Sequence, residues 1–117
     1  MAEALSGAQA ENLACAHLEH AGLTLVTRNY RCLRGEIDLV MHDGEVLVFV
    51  EVRYRHSSAF GSPAETVDRR KQARLRAAAS HYLVKHAIDR PCRFDVVAVS
   101  GGKAHIEWLR DAFGGVE

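Results

Sequence analysis

The sequence predicts an α/β domain, one mixed sheet flanked by helices in the order α-β-β-β-α-β-β. Three observations carry this. Helical periodicity alternates along the chain with β-branched, period-two runs. Two of those runs meet at Asp43-Gly44, a strong hairpin signal. A long helical segment then separates the first three strand-like runs from the last two. At 117 residues the chain is one domain, long enough to bury roughly two-thirds of its unfolded surface.

The elements follow in order. The first periodic segment runs from about Gly7 to Ala21, with Ser6 as a fitting N-cap and Gly22 as a C-terminal stop. LTLVTRNYR (23–31) reads as a strand, rich in β-branched and aromatic residues. GEIDLVM and EVLVFVEVRYR form the two arms of the hairpin, and HSSAFGSP (56–63) is a small-residue loop. A helix is expected from about Ala64 to His86, with Pro63 near its start and Pro91 beyond its end. CRFDVVAVS (92–100) is a strand, Gly101-Gly102 a turn, and AHIEWLRDAF a last strand or short helical end that Trp108 and Phe113 are expected to pack onto the sheet.

Composition excludes several classes of function. Charged residues make up 26% and apolar residues 48% of the chain, with zero formal net charge, so any basic footprint must be local. Cys15, Cys32 and Cys92 stand far apart without a C-x-x-C pair, which argues against a disulfide framework or a zinc site and for reduced thiols. The N-terminus has no basic segment ahead of an apolar run, and no run reaches membrane-spanning length. A cytoplasmic protein with no membrane partner is expected. Among the histidines only His17 and His20 share a helical spacing suited to a metal, and they lack a third ligand. His56 reads as a plain loop residue. No G-x-S-x-G context or glycine-rich phosphate loop is present.

The hairpin holds charges where a sheet should bury its faces. Side chains alternate along a strand, which groups Glu36, Asp38 and Val40 against Ile37, Leu39 and Met41. In the second arm Leu47, Phe49, Glu51 and Arg53 share one face and the valines at 46, 48, 50 and 52 the other. A tight Asp43-Gly44 turn pairs His42 with Glu45, sets Glu36 opposite Glu51 and leaves Asp38 diagonal to it. Clustered carboxylates persist by taking up protons, pairing with bases or binding a divalent cation, and oxygen donors suit Mg²⁺ or Mn²⁺. Each helix adds a charge on its apolar stripe: Glu11 among Ala14, Cys15 and Leu18, and Lys71 among Val67, Leu75, Ala78 and Tyr82. An exposed face or a satisfied ion network is the plain alternative. Basic residues lie close by, with Arg34 before the hairpin and Arg55, Arg69, Arg70 and Arg74 after it, as a phosphate backbone would require.

GEIDLV, FVEVRYR, FGSPAETVDRRKQARL and RFDVVAV followed by IEWLRDAF resemble, over about residues 7 to 113, the YraN-like family of small bacterial proteins. The resemblance implies a restriction-endonuclease-like fold similar to archaeal Holliday junction resolvases, whose members hydrolyse phosphodiesters with a D…(D/E)-x-K motif and Mg²⁺. By position, Asp38 and Glu51 match the two metal-binding acids and Arg53 stands where the motif has lysine. Glu11 matches the acid on the first helix, Glu36 the GEID acid, and Lys71 a lysine on the following helix. Arginine stays protonated and cannot act as a general base, so Arg53 is expected to hold water or stabilise charge, with Lys71 taking the lysine's part.

The leading expectation is a Mg²⁺-dependent endonuclease for structured or branched DNA. Asp38 and Glu51 would hold the metal, with the Val52 carbonyl as a further ligand, and Glu11 and Glu36 would orient outer waters. The resolvase analogy adds a homodimer. Two alternatives stay open: a non-catalytic nucleic-acid-binding module on the same fold, and a protein-interaction factor whose acids form a structural ion network.

Overall fold

A computed structural model of the chain describes residues 5–55, 67–101 and 105–114. The loop expected at 56–63 and the first residues of the expected second helix lie outside that set. The described residues form α1 (Gly7–His20), β1 (Thr24–Cys32), β2 (Gly35–Asp43), β3 (Val46–Arg55), α2 (Arg69–Lys85), β4 (Cys92–Ser100) and β5 (His105–Phe113). The strands lie in one sheet in sequence order, antiparallel except for the parallel β3–β4 pair, whose crossover is α2. The expected order and the mixed sheet are both present, and the last segment is a strand.

Helix boundaries follow their caps. The Ser6 hydroxyl accepts from the Gln9 N–H while the Gln9 side chain accepts from the Ser6 N–H, a reciprocal capping box that starts α1 where the sequence placed it. Helix α2 begins later than expected, at Arg69. The Asp68 carboxylate accepts from the Lys71 N–H at 2.8 Å, so Asp68 is the N-cap and not an interior residue.

The helices cover opposite faces. Ala10, Ala14, Cys15 and Leu18 of α1 pack with Leu39, Met41, Val48, Val50, Val97 and Val99. Leu75, Ala78, Ala79 and Tyr82 of α2 pack with Ile37, Val40, Leu47, Phe49, Phe94 and Val96. Trp108 packs on the first face and Phe113 on the second, where it stacks on Phe94. Each fully buried aliphatic or aromatic side chain stabilises the fold by about 1.5–3 kcal/mol relative to exposure. The cysteines are free thiols. No helix among the described residues is long and apolar enough to cross a membrane.

Two expectations about the hairpin are corrected. The tight turn falls at Gly44-Glu45, so Asp43 pairs with Val46 and not His42 with Glu45. Gly44 takes φ +60°, the left-handed conformation glycine tolerates, and Asp43 is held in the strand by Arg93 at 2.7 Å. Partner numbers move by two, which, continued one step beyond the last pair at Leu39–Val50, brings Asp38 rather than Glu36 level with Glu51. Ile37 also fails to share a face with Leu39 and Met41, because it packs toward α2 and they pack toward α1. The β2–β3 ladder ends at Leu39–Val50, and beside it Asn29 of β1 adopts φ +52°. Asp38 therefore sits where the strand changes face.

Candidate active site

Beyond the last ladder pair, the Asp38 carboxylate takes over as acceptor for the Val52 N–H, at 2.8 Å. This side-chain bond holds the carboxyl between β2 and β3, against the Glu51 carboxyl, with which it is also hydrogen-bonded. Glu51 is on the α2 face of β3, in the row of Leu47 and Phe49, and its side chain is only 5% exposed. A charged acid there needs partners. Lys71 Nζ lies 3.4 Å and an Arg53 guanidinium nitrogen 3.5 Å from the same Glu51 oxygen, Oε2. Lys71 reaches it because its position in α2 is on the buried stripe, between Val67 and Leu75.

The two carboxyls cannot both be charged cheaply. Burial, then the neighbouring Glu51, push the Asp38 pKa up to about 7, against smaller opposing effects of the Val52 N–H and Lys71. Near neutral pH the Asp38 carboxyl is therefore partly protonated. Glu11 stands at the rim: burial and then the charge of Asp38 raise its pKa, opposed by a hydrogen bond from Asn29 and by Arg28. The αL conformation of Asn29 thus has a local use, presenting its side chain to Glu11.

Not every expected ligand converges. Glu36 turns outward and pairs with Arg31 at 3.1 Å, so it is a neighbour of the site rather than part of its centre. Among the described residues, no three His, Cys, Asp or Glu side chains are gathered as a ready-made metal cage. The convergent set is Asp38, Glu51, Lys71 and Arg53, with Glu11 beside it. Two carboxylates still fit a hard divalent ion, because Mg²⁺ is commonly bound by one or two carboxylates and completes its shell with water and substrate phosphate.

The surrounding surface is basic. Helix α2 carries Arg69, Arg70, Lys71, Arg74, Arg76 and Lys85 and no acidic residue. Arg69, Arg70 and Arg74 are exposed, as is Arg34 in the β1–β2 turn, and Arg55 is half-buried at the end of β3. Arg76 is engaged in the fold, donating to the Gly114 carbonyl and lying over the Phe113 ring. The turn and the helix are held together at Gly35, where a Cβ would come within 2.7 Å of the Arg74 carbonyl oxygen. Only glycine permits that approach.

Sequence reasoning missed a second buried acid, Asp95. It accepts from Arg93 Nε and Nη2, Trp108 Nε1 and the Asp111 N–H at 2.9–3.2 Å. The signal was present in CRFDVVAVS, where Arg93 and Asp95 share a strand face within an otherwise apolar run.

Residues 10–99 match the family model described as "Uncharacterised protein family UPF0102". A UPF0102 protein of Nitrosococcus oceani is 54% identical over 111 residues, covering 92% of this chain and 90% of the relative. Relatives of the same description from Nitrosomonas europaea and Saccharophagus degradans are 50% and 52% identical, each with 92% of both chains covered. The matched span contains every residue of the Asp38–Glu51 cluster, and the chain belongs to UPF0102.

Proposed function

We propose that this protein is a divalent-metal-dependent endonuclease of the restriction-endonuclease-like fold, acting on structured or branched DNA. The observation that carries the reading is the pairing of half-buried Asp38 with buried Glu51, with Lys71 and Arg53 on its rim and an acid-free basic helix beside it. Two adjacent carboxylates at a sheet fork, next to cations that can receive phosphate, suit metal-assisted phosphodiester hydrolysis better than a structural role.

Asp38 and Glu51 would hold Mg²⁺ or Mn²⁺, and the ion when bound supplies Lewis acidity toward phosphate oxygen and acidifies water. The chain's own groups do the rest. The Val52 N–H fixes the Asp38 carboxyl, and Lys71 is close enough to Glu51 to position a water or a phosphate oxygen at its edge. Arg53 stays charged and offers a fork of N–H donors to charge developing on phosphorus. Glu11 orients water at the rim. Arg34, Arg55, Arg69, Arg70 and Arg74 meet the backbone of the DNA.

A second reading has its own observation in favour. Glu51 already has two cations on one oxygen, and Arg53 stands where the fold's motif has lysine. A DNA-binding module with a satisfied ion network would look the same in this respect. The deciding experiment is cleavage of linear, flap and four-way-junction DNA with Mg²⁺ or Mn²⁺. Asp38→Ala and Glu51→Ala are expected to lose at least about a thousandfold in rate, about 4 kcal/mol of transition-state stabilisation. Binding without cleavage by the wild type would favour the module; equal cleavage by both variants would remove the site. Arg53→Lys is expected to cleave at least as fast as wild type, which a rate assay on the same substrates checks.

A further inference from the structure

We propose that the β1–β2 turn is a base-unstacking wedge, in which Leu33 enters an opened step of bound DNA and the adjoining groove on α2 receives the displaced base. The inference rests on the DNA-binding reading above and specifies how branched substrate is recognised.

Leu33 is fully exposed at the tip of the two-residue turn closed by the Cys32–Gly35 pair. Such positions usually hold Gly, Asn, Asp or Ser, and a leucine there gains nothing from the fold. One exposed leucine needs no explanation, but this one has company. Val84 of α2 is 82% exposed and, with Arg34, Ala77, Ser80 and His81, lines an open groove of about 420 Å³. That volume lies in the range of small-ligand sites, and Ala77 with the exposed Val84 offers an apolar surface for a base.

The wedge is rigidly mounted. Gly35 abuts the Arg74 carbonyl, the Tyr30 hydroxyl is hydrogen-bonded to His81 Nδ1, and the Tyr30 ring meets Tyr82 edge-on at 5.0 Å. Leu33 therefore projects from a clamped hairpin.

Charge selects the partner. Around the turn and groove stand Arg31, Arg34, Arg74 and Lys85, and Arg31 pairs with the nearby acid Glu36. Apolar groups rimmed by cations of one sign suit a polyanion with stacked bases. Position fits as well. Lys71, Arg74, Ala77, His81 and Val84 step along α2, and at 3.6 residues per turn the groove residues lie about 80–140° around the axis from Lys71, on the flank next to the face that meets the acid pair. Lys71 to His81 is about 15 Å along the axis. That is about four base-pair rises. The wedge would open the DNA within a few base pairs of the cut.

The test uses the full chain and a four-way junction carrying 2-aminopurine beside the branch, with Ca²⁺ to hold off cleavage. Wild type is expected to raise the fluorescence on binding, by about threefold or more if the base leaves the stack. Leu33→Ala should lose most of that rise while its Kd stays within about threefold, because phosphate contacts dominate affinity. Arg34→Ala should weaken binding and lower the salt slope by about one. An equal rise with Leu33→Ala, or binding by the wild type without any rise, overturns the wedge and leaves the nuclease reading standing. Failure of the wild type to bind any DNA sinks both. If Leu33→Ala instead converts a dimer into a monomer in sedimentation, the turn belongs to a contact between copies and the wedge is wrong.

Discussion

Asp95 is a buried acid of the same sheet as buried Glu51 and its half-buried neighbour Asp38, and the two places are treated in opposite ways. Asp95 receives four donors, two from Arg93, one from the Trp108 indole and one from the Asp111 backbone. Arg93 in turn reaches Asp43 at 2.7 Å, tying β4 to the end of β2. Asp38 has one backbone donor and a like-charged neighbour, and Glu51 has two cations at 3.4–3.5 Å, longer than a good charge-assisted bond. Full satisfaction makes a buried charge part of the scaffold. Partial satisfaction near a basic surface leaves capacity for something that binds. The difference teaches that burial alone does not single out a candidate site; the donors left unprovided do.

The comparison can be broken most severely at Asp95. Asp95→Ala leaves Arg93 and Trp108 without their acceptor, and breaking a buried pair in this way costs about 3–5 kcal/mol. Urea unfolding should show that loss, with no change in divalent-cation dependence. If Asp95→Ala proves neutral while Asp38→Ala is strongly destabilising, the roles assigned to the two acids are reversed.

A somewhat smaller effect is expected from pH. Asp38 is raised from 3.8 in its reference state to about 7 when folded, so the folded chain holds a proton that the unfolded chain has lost. Its stabilising contribution is complete below about pH 4 and disappears as pH rises through about 7, by at most about 4 kcal/mol. Asp38→Asn should flatten this part of the stability profile in urea titrations from pH 4 to 8. Mg²⁺ should raise the Tm of wild type at pH 8 and much less at pH 5, where the proton competes. A profile identical in wild type and variant would remove the proton from Asp38.

The smallest effect sharpens the comparison by geometry. Gly35→Ala puts a methyl 2.7 Å from the Arg74 carbonyl and must move α2 off the β1–β2 turn. A cost of about 1–3 kcal/mol is expected from such overpacking. Because Lys71 is one turn from Arg74, cleavage should fall further than stability does, while the Asp95 network, remote on β4 and β5, stays intact. Near-UV circular dichroism of Trp108 and a rate assay would separate the two.

Much of the candidate site was legible before any coordinates. Parity along EVLVFVEVRYR placed Glu51 and Arg53 together, and the 3.6-residue stripe of α2 placed Lys71 among buried residues; both hold because they depend only on the local repeat. Glu36 was drawn into the centre because a turn one residue off moves every cross-strand partner by two. Asp95 was passed over because its donors come from Arg93, Trp108 and a β5 backbone shaped by Asp111 at φ +51°, and only Arg93 is near in sequence.

The sequence by itself determined the order of elements, the N-cap at Ser6 and the buried faces of the helices and of β3, since these rest on periodicity and short-range hydrogen bonding, and its motifs carried the family. Tertiary structure alone decided that β2 changes face at Asp38, that the Val52 N–H fixes that carboxyl against Glu51, and that Glu36 turns away to Arg31. Those outcomes depend on where a ladder stops and how closely a helix approaches a strand, and both are set by packing across the sheet.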